Sequence, residues 1–77
     1  LQILKRLNLG IERNSWGNRM SKFEVYLDEG GKYRFRLRAR NGQIIAVSQG
    51  YKSEEGCIKG IQSVKENAPN ARIIVLE

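Results

Sequence analysis

Apolar and polar positions alternate most regularly between residues 22 and 48. Over residues 22–28, Phe23, Val25 and Leu27 share one face, and Glu24, Tyr26 and Asp28 share the other. That period of two is the pattern of a half-buried strand. Gly30-Gly31 then supplies the positive φ of a tight turn. Residues 33–40 alternate without a break, with Tyr33, Phe35, Leu37 and Ala39 on one side and Arg34, Arg36, Arg38 and Arg40 on the other. Asn41-Gly42 predicts a two-residue type I′ hairpin, and residues 43–48 form the third strand.

Loop lengths constrain the register. A three-residue loop pairs residues of like parity across the first hairpin. One such register sets Val25 opposite Leu37, Leu27 opposite Phe35 and Glu24 opposite Arg38. A two-residue turn at Asn41-Gly42 sets Ala39 beside Ile44 and Leu37 beside Ala46. Gln43, Ile45 and Val47 then fall on the arginine face. Two β-branched residues among four arginines imply that something covers that side of the third strand.

Beyond the strands the period changes to 3.6. Ser53 reads as a helix N-cap, followed by Glu54 and Glu55 at the positive end of the helix. Cys57, Ile61, Val64 and Ala68 fall on one helical stripe, with Ile58 beside it. Lys65 suits the C-terminal turn, and Pro69 ends the helix near Asn67 or Ala68. Gly56 and Gly60 weaken a helix, so the expected return is close approach to the sheet or to a partner subunit. Residues 72–76 predict a short fourth strand. Its Ile73, Ile74, Val75 and Leu76 are apolar on both faces, which calls for cover on both sides. The order β-β-β-α-β predicts an α+β fold: a three-stranded antiparallel meander, one helix packed on one face and a C-terminal strand. One helix does not cover both sides of that strand, whereas a symmetric dimer does.

These stretches resemble the YegP-like family of small proteins built from a β-β-β-α repeat. The likeness is carried by Phe23-Glu24-Val25-Tyr26, Tyr33-Arg34-Phe35-Arg36-Leu37 and Asn41-Gly42-Gln43-Ile44-Ile45-Ala46. It continues through Gly50-Tyr51-Lys52-Ser53 and Gly60-Ile61-Gln62-Ser63-Val64-Lys65-Glu66-Asn67-Ala68-Pro69. Members of this family look like two tandem repeats or one repeat that pairs with itself. A chain with a single repeat therefore implies a homodimer. Lys59 stands where many relatives have Asn, so any role of that Asn is in doubt here. The resemblance brings no catalytic residues with it.

Texture changes at Met20. Residues 12–19 are polar and coil-like, with Asn14, Ser15, Gly17 and Asn18 among them. Three readings fit residues 1–19: an extension outside the fold with Met20 as the true start, a flexible arm, or a short amphipathic helix through Leu1, Leu4, Leu7 and Ile11. The first is expected, with residues 20–77 as the single folded domain. Trp16 is an exposed ring on the plain reading and a stacking or interface anchor on the sharper one.

Composition narrows the chemistry. The 77 residues carry a net charge of +6, and half of that excess lies in residues 1–19. Having no His, the sequence offers no Ser–His–Asp or Cys–His catalysis and no His-ligated zinc site. A single Cys forms neither an internal disulfide nor a multi-cysteine metal site, and it agrees with a cytoplasmic setting. No apolar run nears the roughly 20 residues that span a bilayer. Neither cofactor nor metal is expected. Cys57 sits in the apolar stripe and reads as a small core residue rather than a nucleophile. A phosphate site at residues 50–53 is opposed by Glu54 and Glu55. The adjacent pairs Asp28/Glu29 and Glu54/Glu55 do not face each other across a cleft as acid and base.

Two readings of function follow. The first is a non-enzymatic interaction or structural module acting as a homodimer through Ile45, Val47, Ile73, Ile74, Val75 and Leu76. The alternative is a nucleic-acid-binding protein that uses Arg34, Arg36, Arg38 and Arg40, with Tyr26 beside them. On the first reading those arginines are a solvated face partly paired with Glu24 and Asp28, and Tyr26 shields an arginine. An enzyme using Cys57 or Tyr51 is the weakest reading.

Overall fold

A computed structural model describes residues 20–77. The expectations for residues 1–19, including Leu1, Leu4, Leu7, Ile11 and Trp16, lie outside the described residues. The elements are β1 (Lys22–Leu27), β2 (Tyr33–Arg38), β3 (Ile44–Val47), helix α1 (Glu54–Asn67) and a 3-10 turn (Ala68–Asn70). The three strands form one antiparallel sheet in the order β1-β2-β3.

Side chains in the first loop set the register of the first hairpin. Asp28 Oδ1 accepts hydrogen bonds from the amides of Gly30 and Lys32, both at 2.9 Å. The Asp28 amide donates to the Lys32 carbonyl at 2.8 Å, and Gly31 takes φ 83°. The loop is therefore residues 29–31. Val25 pairs with Phe35, Phe23 with Leu37 and Glu24 with Arg36. Like parity and a three-residue loop hold. The specific register with Val25 opposite Leu37, Leu27 opposite Phe35 and Glu24 opposite Arg38 is displaced by one pair, because Asp28 closes the loop one residue early.

The second hairpin repeats this device instead of forming the expected type I′ turn. The Gly42 amide donates to the Ala39 carbonyl, the Ala39 amide donates to the Gln43 carbonyl, and Gly42 takes φ 90°. Three loop residues, 40–42, replace two. Such a loop alone would turn the wrong face of β3 towards the core. A β-bulge restores the phase: Arg38 pairs with Ile44, yet Leu37 pairs with Ala46 and Arg36 with Val47. Ile45 is the extra residue. Past the bulge the expected partners are in place, while the pairing of Ala39 with Ile44 is lost.

β3 then leaves the ladder in steps. Ser48 Oγ accepts from the Phe35 amide at 2.9 Å and donates to the Gln49 carbonyl at 2.7 Å. Tyr51 returns to β2, exchanging both backbone hydrogen bonds with Tyr33. Helix α1 begins as its sequence predicts. The Ser53 hydroxyl accepts from the Gly56 amide at 3.0 Å, Glu54 and Glu55 occupy the first turn, and Lys65 the last. Pro69 lies in the 3-10 turn that ends it.

The helix lies over β1 and β2 and not over β3. Its stripe buries Cys57 and Ile61 against Phe35, with Phe23, Tyr33, Tyr51 and Val64 at the margin. Phe35 meets Phe23 edge-on at 5.7 Å between centroids and stacks with Tyr51 at 6.2 Å. Gly60 is the point of closest approach. A Cβ there would overlap the Tyr51 hydroxyl and come within 2.8 Å of its Cζ. The helix glycine thus serves contact within the chain.

Residues 71–77 form neither helix nor strand in the single chain. The fourth strand expected over residues 72–76 has no partner among the described residues. Ala71 has extended backbone, φ −73° and ψ 135°, and Ile73, Ile74, Val75 and Leu76 are exposed, Ile73 at 92%.

Candidate functional site: the outer face of the sheet

With α1 on one side, no described element covers the opposite side of the sheet. Lys22, Glu24 and Tyr26 alternate onto it from β1, opposite Arg38, Arg36 and Arg34, and Asp28 follows at the start of the first loop. Every strand arginine on this face is paired. Arg34 Nε donates to Asp28 Oδ2 at 2.6 Å, and its Nη1 donates to the Ser48 carbonyl at 3.0 Å. Arg36 Nε and Arg38 Nε both donate to Glu24 Oε1 at 2.7 Å. Arg38 Nη1 also donates to the Gly42 carbonyl at 2.7 Å. Lys22 approaches the other oxygen of Glu24 at 3.9 Å. Arg36 lies over Tyr26, with Cζ 5.0 Å from the ring centroid.

These contacts shift the titration of the carboxylates. Hydrogen bonds from Arg38 and then Arg36 hold Glu24 below its ordinary value. The Arg34 bond, followed by the Lys32 and Gly30 amides, does the same to Asp28. Asp28 in turn raises Arg34. The row is a braced lattice rather than a set of loose cations.

The structure brings Arg34, Arg36, Arg38 and Tyr26 together and leaves Arg40 apart. β2 ends at Arg38, so Arg40 is the first residue of the second loop and is exposed there. Glu24 bridging two arginines is a feature the parity argument missed, because the register it used paired Glu24 with Arg38 alone. Opposite charges two residues apart across the strands were the available signal. Val47, opposite Arg36, is 57% exposed, and Ile44 and Ile45 are exposed beside it.

Other candidates separate from this face. Cys57 is fully buried, and desolvation, with the nearby Glu54 charge second, pushes its thiol pKa up. That opposes a nucleophilic role. Lys59 is exposed on α1 and reaches Glu55 at 3.8 Å. Among the described residues no cluster of His, Cys, Asp and Glu is arranged to hold a metal ion, and no helix is long and apolar enough to cross a membrane.

Comparison with known proteins places the chain in a family. Residues 28–74 match the family model described as a domain of unknown function, DUF1508. A UPF0339 protein of Treponema denticola is 53% identical over 53 residues, covering 69% of this chain and 91% of that protein. Another, described as lying in the ptx operon 5′ region of Stutzerimonas stutzeri, is 56% identical over 48 residues, covering 62% of this chain and 43% of that one. The solution structure of a Haloferax volcanii protein superposes with a TM-score of 0.70 at 44% identity, covering 75% of this chain and 98% of that one. The three-stranded antiparallel sheet with one helix is thus the fold of its relatives, and the chain belongs to the DUF1508, or UPF0339, family, the YegP-like family of its sequence resemblance.

Proposed function

We propose that the protein is a non-enzymatic interaction or structural module that acts as a homodimer. The observation that carries this reading is the imbalance between covered and uncovered apolar groups. Only Phe35, Cys57 and Ile61 are buried hydrophobics among the described residues, while Ile44, Ile45, Val47 and all of residues 73–76 are exposed. A domain this small buries too little surface to be robust alone, and a second subunit is a common remedy. In this reading residues 72–76 become the fourth strand by pairing with a sheet edge of the second copy. Ile45, Val47, Ile73, Ile74, Val75 and Leu76 then line the interface. The Stutzerimonas stutzeri relative supports it, since a match over 43% of that protein leaves room for a second copy within one chain. A cytoplasmic setting fits the single cysteine and its burial.

Sedimentation equilibrium tests the reading. The full chain is expected to be a dimer at micromolar concentration, and Ile74→Asp with Leu76→Asp to shift it to monomer with reduced thermal stability. A wild-type chain that stays a stable folded monomer at that concentration overturns it. The arginine row of β2 and its β1 partners borders this interface, with Val47 opposite Arg36.

A further inference from the structure

The arginines of the outer face are braced through different atoms. Arg34 and Arg38 each donate through Nε and Nη1, whereas Arg36 donates through Nε alone. Among the described residues nothing accepts a hydrogen bond from either Nη of Arg36, or from Nη2 of Arg34 and Arg38. Glu24 and Asp28 therefore fix the guanidinium planes without using up their donors. Lys22, Arg34, Arg36 and Arg38 outnumber those two carboxylates, so the face keeps a positive charge. Alternate residues of a strand stand about 6.6–6.8 Å apart, which makes the free donors a regular row. Arg36 on Tyr26 adds a planar cationic platform to the middle of that row.

We propose that this face binds single-stranded nucleic acid. Backbone phosphates accept from the free Nη groups of Arg34, Arg36 and Arg38, and an unpaired base stacks on the Arg36–Tyr26 pair. The single strand is favoured over a duplex because stacking needs an unpaired base. It is favoured over an acidic protein segment because carboxylates would use the forks and leave the platform idle. This surface goes beyond the dimer reading and does not rest on it.

Fluorescence anisotropy with the full chain tests the proposal, using labelled 12-mer oligonucleotides as single strand and as duplex, with polyglutamate as competitor. Single-strand binding is expected, with log affinity falling against log salt at a slope of about −2 for three phosphates. Arg36→Gln with Arg38→Gln should weaken it at least about tenfold, by loss of charge and stacking together. Lys52→Gln with Lys59→Gln removes equal charge from α1 and the turn before it, and should change binding less than about twofold. If the arginine pair fails to fold by circular dichroism, Arg36→Lys with Arg38→Lys keeps the charge and removes the forks, and should still bind severalfold more weakly. Absent binding at low salt, equal loss in the two Gln pairs, unchanged binding by the Lys pair, duplex binding as tight as single strand, or competition by polyglutamate at equal charge each overturns it.

Discussion

At the residue scale Glu24 holds the outer face together, and its titration gives a measurable signature. Its folded pKa lies below the ordinary 4.5 of a glutamate, and that of Asp28 below the ordinary 3.8 of an aspartate. A carboxylate with a depressed folded pKa contributes fully above its unfolded value, and the contribution disappears as pH falls through the folded one. Thermal stability is therefore expected to be level from pH 7 to about 5 and to decline below about pH 4. Glu24→Gln should be less stable at neutral pH and should flatten the acid decline, because one of the two groups no longer titrates. An unchanged acid slope in that variant would show that the Arg36 and Arg38 bonds contribute nothing. The sequence announced this pairing only in outline. Alternation put acids and arginines on one face, but which acid meets which arginine depended on where the Asp28 side chain closes the loop.

At the element scale the strands and the helix were legible, because each repeats one period over several residues. Phe23, Val25 and Leu27, then Tyr33, Phe35 and Leu37, marked β1 and β2. Ser53 and Pro69 bracketed α1. The connections were less legible. Asn41-Gly42 is compatible with more than one hairpin loop, since positive φ at Gly42 serves a three-residue loop as well as a two-residue one. The bulge at Ile45 has no local signal; it follows from the loop length and the need to keep Ala46 on the side of Leu37. The fit of Tyr51 against Gly60 was also hidden, since it joins a bridge residue to a helix position nine residues later. Gly60→Ala tests that fit. Alanine gains about 1 kcal/mol of helix propensity, but overpacking against Tyr51 costs about 1–3 kcal/mol. A net loss in urea denaturation is expected, eased by adding Tyr51→Phe, which removes the overlapping hydroxyl. A more stable Gly60→Ala chain would mean that helix and bridge can slide apart freely.

At the scale of the whole molecule, two kinds of surface surround a small core. Apolar positions gather at β3 and residues 73–76, and paired charges cover the outer face. The sequence put Ile45 and Val47 on the arginine side and called for cover there, yet a single chain does not display its own partner, so the occupant of the apolar surface was legible only as a need for cover. The core itself carries one more consequence. Cys57 is 0% exposed, its thiol pKa is raised, and it sits where α1 meets Phe35. A buried protonated thiol reacts with a disulfide reagent only when the helix parts from the sheet. Its modification rate is thus a built-in clock for opening of the fold. Labelling is expected to be slow in buffer and to accelerate with urea in step with loss of helix signal. Rapid labelling of the folded chain would place that opening among fast local motions instead. The same shielding makes the cysteine a poor target for oxidants while the chain is folded, and an early mark of damage once it opens.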